Sequence, residues 1–162
     1  MLDDLIKERL KKLSRLKNAG INPYPASAKR TLSIGEAVEK FGAFEKSRKK
    51  ISVAGRLLSW RDQGGVIFAD IADESGKIQL VLKKDTLKNF SLFKETLDRG
   101  DFLSASGALF KTKKGQESLD TKELNLLVKS VRPLPDKWFG LEETETRLRK
   151  RYLDIIMNPE TK

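Results

Sequence analysis

The side chains with the most chemistry to offer lie on one face of two short apolar runs, GVIFADI at 65–71 and KIQLVLK at 77–83. Ile67, Ala69 and Ile71 alternate with Val66, Phe68 and Asp70, while Ile78, Leu80 and Leu82 alternate with Lys77, Gln79 and Val81. Successive strand residues point to opposite faces, so Phe68 and Gln79 fall on the side away from the aliphatic one. The intervening ADESG is turn-like, and a turn centred between Asp73 and Glu74 sets Phe68 directly across from Gln79. In the preceding run, ISVAGRLLSW, Arg56 alternates out of phase with Val53, Gly55 and Leu57, and Arg61 lies just beyond, at the mouth of the next turn. An exposed ring beside an amide and two guanidinium groups can read a single-stranded base. The ring offers a stacking platform worth roughly 1–3 kcal/mol, the amide bonds a base edge, and the arginines hold phosphate or base. The same pattern also fits a Phe68 covered by a flanking helix in a second small core, or an anchor at a protein interface.

Other chemistries are harder to build. The chain of 162 residues has neither histidine nor cysteine, which removes the commonest general base and metal ligand as well as any disulfide or thiolate site. No phosphate-binding glycine loop and no partnered carboxylate pair replaces them, so catalysis is not expected of this chain alone, and no cofactor or metal site is expected in it. No apolar run approaches the roughly 20 residues of a membrane span, and MLDDLIKERLKKL carries charges where a signal peptide is apolar; a cytoplasmic protein with no membrane partner is expected. The net charge of +10 fits a polyanionic partner as well as a merely solvated surface. The excess sits in the N-terminal third, where residues 1–50 hold 13 Lys and Arg against 6 Asp and Glu.

The elements that must position these residues follow from periodicity. Leu2, Leu5, Ile6, Leu13 and Leu16 predict an amphipathic helix over 2–18, stopped by Gly20, whose lysines and arginines could add phosphate contacts. INPYPAS is extended, and SIGE offers an N-cap serine with a glutamate three residues on, predicting a helix from about Ser33 to Phe41. KSRKK then leads into three strands, ISVAGRLLSW, GVIFADI and KIQLVLK. Leu87, Phe90, Phe93 and Leu97 predict a helix over 86–98, interrupted by RGD at 99–101, and the strands DFLSASGALFK and SLDTKELNLLVKS flank the turn TKKGQ. Three strands, a helix and two strands is the order of the OB-fold, a five-stranded Greek-key barrel; a five-stranded sheet of another topology shares that order. The fold class is thus mainly β with flanking helices. An N-terminal helical extension (1–50), a barrel domain (51–131) and a linker (132–162) complete it, the linker holding RPLPDKWFG and a helix from Glu142 to Ile156 cut short at Asn158–Pro159.

Several stretches are specific together: RLKNAGINPYP (15–25), VAGRLLSWRDQGGVIFADIADESGKIQLVLKKD (53–85), GD at 100–101, LFKTKKG (109–115) and LLVKSVRPLPDKWFGLEETETRLRKRYLDIIMNPE (126–160). Through them the chain resembles the N-terminal anticodon-binding region of bacterial-type class II lysyl-tRNA synthetases over nearly its whole length. The middle stretch is shared with the aspartyl and asparaginyl relatives; the flanking ones are lysyl-like. The resemblance implies that Phe68 stacks on the central anticodon uridine, that Gln79 and Arg61 contact the same base, and that Arg56, in the AGR pattern, serves a neighbouring base. The family usually has glutamate after the glycine of the turn in 111–116, where this chain has Gln116 followed by Glu117, and Gln116 is the candidate contact there. Leu148 replaces a usual tyrosine, which suggests a packing change. The resemblance also implies a tRNA partner, the lysine isoacceptor, and a homodimeric parent that uses ATP and Mg2+ to attach lysine. The three class II catalytic motifs are absent from these 162 residues, so a fragment of such an enzyme is expected. A base-indifferent single-strand binder and a protein-interaction or dimerisation module are the alternatives.

Overall fold

The computed structural model describes residues 2–134 and 144–158, and the chain divides into two compact units, Met1–Arg132 and Pro133–Lys162. In the first unit the alternating runs form β1 (Ile51–Asp62), β2 (Val66–Ala72), β3 (Lys77–Lys83), β4 (Phe102–Lys111) and β5 (Glu117–Val128). β1 pairs antiparallel with β4 through its first half and with β2 through its second; β2 pairs antiparallel with β3. β5 runs antiparallel to β4 and parallel to β3. Every strand therefore has two neighbours, and the ring β1-β2-β3-β5-β4 closes into a barrel. This is the OB-fold arrangement, in which closure removes free sheet edges.

The inward phase of each strand fills the ring. Val53, Leu57, Ile67, Ala69, Ile71 and Leu80 are fully buried there, together with Leu82, Leu103, Ala105 and Leu119. At one crossing the strands approach too closely for any side chain. A Cβ on Gly107 would lie 2.0 Å from the Asp120 carbonyl oxygen, at the point where the β4–β5 register shifts.

Helices pack around the barrel. α1 spans Leu2–Asn18, α2 Ile34–Glu39, α3 Phe41–Ser47 and α4 Phe90–Thr96. The expected capping box starts α2: Ser33 Oγ accepts from Glu36 N at 3.2 Å, and Glu36 Oε2 accepts from Ser33 N at 2.8 Å. α3 takes up FGAFEKS, a run too short to show a helical period beyond the single pair Phe41 and Phe44, and those two rings hold it against the core. α4 is shorter than the apolar spacing predicts because Asn89 adopts the left-handed region (φ 61°). Leu87 is buried in the turn before it, alongside Phe90, Phe93 and Leu97.

α1 docks differently from the apolar stripe predicted for it. Leu16 is fully buried, yet Leu2 and Leu5 are 58% and 50% exposed. Much of its seat is ionic: Arg9 donates from Nη1 to Ser130 O at 2.9 Å and from Nη2 to Arg99 O at 3.2 Å, and Lys12 Nζ donates to Asp98 Oδ1 at 2.6 Å. Behind Asp98, the fully buried Lys129 ammonium donates to Asp98 Oδ2 at 2.7 Å and Asp101 Oδ2 at 2.8 Å. Asp101 also accepts from the backbone N–H groups of Asp98 and Ser130, each at 2.8 Å. Burial pushes the Asp98 carboxyl up, but the bonds from Lys12 and Lys129 outweigh it and hold that group below its ordinary value. For the deeper Asp101, burial wins over Lys129 and the value is raised. The RGD interruption is thus where α1, the chain before β4 and the end of β5 are tied together.

Among its described residues the second unit has two helices, α5 (Thr144–Arg149) and α6 (Arg151–Met157). The single helix expected from Glu142 breaks at Lys150 (φ −117°, ψ 48°). Buried Asp154 accepts from Arg147 Nε at 2.8 Å, Arg151 Nη1 at 2.7 Å and Asn158 Nδ2 at 2.6 Å, and Leu148 is 67% exposed, so it is not a core replacement within this unit. Glu142, Pro159 and the proline-containing linker from residue 135 on lie outside the described residues. No helix among the described residues is long and apolar enough to cross a membrane.

Removing one partner of a buried ion cluster leaves uncompensated charge. Lys129→Met is expected to lower the unfolding free energy by about 3–5 kcal/mol in urea titrations, and adding Asp101→Asn to it should recover part of that loss.

Candidate nucleic-acid interface

Arg56 and Arg61 are five residues apart, a spacing that strict alternation would put on opposite faces of β1. A bulge changes this: Leu57 pairs with Ile71 but Ser59 with Asp70, so Leu58 is an extra residue that rephases the rest of the strand. Arg56, Ser59 and Arg61 then share the outer surface with their partners Ala72, Asp70 and Phe68. Arg61 is therefore within the strand, opposite Phe68, rather than beyond it at the mouth of the turn.

The β2–β3 register also corrects the sequence reading. Ala72 pairs with Lys77, so the turn is centred between Glu74 and Ser75, and Phe68 faces Val81 while Gln79 faces Asp70. Phe68 and Gln79 are diagonal neighbours on one face, not a direct pair. The cause is Asp73, whose Oδ1 accepts from Ser75 N at 2.8 Å and Gly76 N at 3.0 Å, making it the first residue of the turn.

Parallel pairing to β5 brings in two further side chains. Gln79 lies beside Ser118, and Ser118 beside Phe110 on β4. The Ser118 hydroxyl is 2.9 Å from Gln79 Oε1 and 3.2 Å from Gln116 O, and it ties the strand to the β4–β5 turn. Between the β2–β3 surface and that turn lies an open concavity of about 560 Å3, whose walls include Arg61, Phe68, Gln79, Phe110 and Gln116. None of its lining residues is on a helix. Phe68 is half-buried, and it belongs neither to the core nor to the apolar residues packed against it. The alternative of a helix-covered second core does not describe it.

Four of the five sequence-derived residues thus meet in one place. Arg56 does not: it pairs with Ala72, four residues along β2 from Phe68, and its guanidinium sits 4.4 Å from the Phe102 ring centroid. Burial lowers its pKa, though a guanidinium stays charged.

Phe110, Lys83 and Ser118 were not singled out from the sequence. The alternation of β4 places Phe110 outside once Leu109 is inside, but only the β3–β5 pairing reveals that it shares a wall with Gln79.

The local field is mixed. Arg61, 55% exposed, is held loosely by Asp70 at 3.7 Å, and Asp70 accepts from Ser59 Oγ at 2.6 Å. Lys83 and Lys122 pair with Asp120 at 3.0 and 2.8 Å; burial raises the Asp120 carboxyl, and these two bonds more than reverse it. Lys113 and Lys114 stand exposed on the turn. A half-buried ring, an amide and cations around an open groove suit a stacked base and its phosphates better than a small enclosed substrate.

Residues 51–134 match the tRNA anticodon family, whose members are described as an OB-fold nucleic acid binding domain. The chain belongs to that family. The match covers the whole barrel, so the OB-fold found in the strand pairing and the family's OB-fold are the same. Beyond the barrel, the OB-fold chain is 43% identical over 155 residues to lysine–tRNA ligase 2 of Methanosarcina mazei, covering 94% of this chain and 30% of that protein. It is 43% identical to the lysine–tRNA ligase of Roseiflexus castenholzii, covering 99% and 34%, and 41% identical to that of Moorella thermoacetica, covering 99% and 32%. It therefore spans about a third of the length of these relatives.

Ser118→Ala removes the hydroxyl that links Gln79 to the turn of the OB-fold. The expected cost is about 1 kcal/mol in urea unfolding, with the barrel intact by circular dichroism.

Proposed function

We propose that the chain is the anticodon-reading module of a lysine–tRNA ligase and carries no catalysis of its own. The observation that carries this reading is Phe68, half-exposed on an open groove with Gln79 and Arg61 beside it. The similarity to lysine–tRNA ligases supplies the class of RNA.

The central anticodon uridine stacks on the Phe68 ring. Gln79, with Oε1 turned to the Ser118 hydroxyl at 2.9 Å, presents its amide NH2 to the base. A uracil offers a carbonyl acceptor at position 4 where cytosine carries an amino donor, so the amide accepts one base and opposes the other. Arg61, on the same face as Phe68, reaches the base or its phosphate, and Gln116 and the turn lysines close the groove. Of the N-terminal cations, Arg9 and Lys12 are engaged with the barrel, Lys11 with Glu8 and Arg15 with Glu95, and Lys7 and Lys17 are further exposed cations of α1 for phosphate contacts. Arg56, outside the groove, serves the backbone rather than the central base. The longer protein would be a cytoplasmic homodimer that attaches lysine to its tRNA with ATP and Mg2+.

Fluorescence anisotropy with a lysine-tRNA anticodon stem-loop, beside the same hairpin with its central uridine changed to cytidine, tests this at two salt concentrations. A uridine preference that persists at higher salt is expected, with Phe68→Ala weakening binding by about 5- to 150-fold. Total affinity should fall with salt as counterions are released. Equal binding of both hairpins, lost together as salt rises, would replace anticodon reading with base-indifferent binding.

A further inference from the structure

The concavity holds a second, half-buried aromatic ring. Phe110 is half-buried at the end of β4 and, like Phe68, is neither part of the core nor packed against it. Its register partner Ser118 neighbours Gln79, so its side chain leaves the barrel on the same outer surface. Lys83 Nζ lies 5.8 Å from its centroid. Lys113 and Lys114 follow it within four residues, both exposed and, among the described residues, without a carboxylate partner. A half-buried ring outside the core, on a concavity shared with Lys83, which also pairs with Asp120 at 3.0 Å, and with Lys113 and Lys114, is the composition of a single-strand binding surface, in which bases stack and phosphates are tracked.

We propose that Phe110 is a second base-stacking platform, which receives a nucleotide flanking the base held by Phe68, while Lys83, Lys113 and Lys114 hold the phosphates that pass it. The proposal rests on the anticodon reading for the identity of the RNA, but the ring and its cations need only a single strand. In the closed barrel the strands that carry the two rings are separated by β3 and β5 on one side and by β1 on the other, which sets them two to three strand spacings apart, on the order of 10–14 Å at roughly 4.8 Å per strand. Bases stacked on each other are only about 3.4 Å apart. The groove therefore takes bases splayed away from one another, each with its own platform. Gln116, on the same wall, supplies the amide that can bond the edge of the second base.

The test is binding of the full 162-residue chain to the anticodon stem-loop and to two versions, each with an abasic site at one nucleotide flanking the central uridine. Phe110→Leu keeps an apolar side chain without the ring, and Phe110→Tyr keeps the ring. Phe110→Leu is expected to weaken binding of the intact hairpin about 5- to 150-fold, and Phe110→Tyr to bind as the unaltered protein does. On one of the two abasic hairpins the leucine variant and the unaltered protein should bind alike, whereas Phe68→Ala should still show its loss there. Wild-type-like binding by Phe110→Leu would overturn the proposal, as would an equal loss on all three hairpins. If uridine and cytidine hairpins are bound equally but the abasic pattern holds, the anticodon reading fails and the second platform stands.

Discussion

Four residue pairs between β3 and β5, from Gln79–Ser118 to Leu82–Thr121, close the barrel, and the binding surface depends on them. On an open sheet Gln79 and Val81 would be outward residues in solvent; beside β5 they are only 9% and 3% exposed. The same pairing carries the β4–β5 turn to the rim of the β2–β3 surface and turns a flat face into a groove. What drives it is on the other side of the strands, where Leu80, Leu82, Leu119 and Thr121 are fully buried. Apolar packing inside thus sets polar geometry outside. An unpaired parallel contact has no hairpin to enforce it, so the core must do so.

The ionic knot at Asp98, Asp101 and Lys129 has a different job. It ties the loop before β4, the exit from β5 and the N-terminal helix to one another, and it does so with groups that are costly to bury unless each is matched. Asp101 shows how nearly the balance is drawn, since burial there outweighs a bonded lysine and two backbone donors. Much of the positive charge near the N-terminus is accordingly structural. Arg9 ends on backbone carbonyls and Lys12 on Asp98, so the whole-chain excess overstates what is left for a polyanion.

Strand existence, strand order and the capping box at Ser33 were legible in the sequence because each rests on local periodicity or a local hydrogen-bond pattern. Register was not. Whether the hairpin turns about Asp73–Glu74 or Glu74–Ser75 is decided by one side chain, Asp73, bonding to Ser75 and Gly76, and both choices preserve which residues face out. The outward set was therefore readable while the partner of Phe68 was not. α3 was missed because Phe41 and Phe44 are a single apolar pair in too short a run to show a period, and the exposure of Leu2 and Leu5 because an apolar stripe does not reveal how much of its length finds a partner. Phe110 required a contact between strands nearly 40 residues apart in the chain.

The bulge at Leu58 works as a phase shifter. One inserted residue lets Arg56 remain on the outer face beside β4, over Phe102, and still delivers Arg61 to that face beside Phe68. The interface is therefore written partly in chain length rather than in side-chain chemistry. At the present length, a strand without the bulge would turn the second arginine towards the barrel interior, whereas losing one residue of the three between Arg56 and Trp60 would remove the bulge and leave both arginines outside. In comparing relatives along this strand, a gap of one residue marks a straighter β1 rather than a lost contact, because the arginine behind it keeps its face.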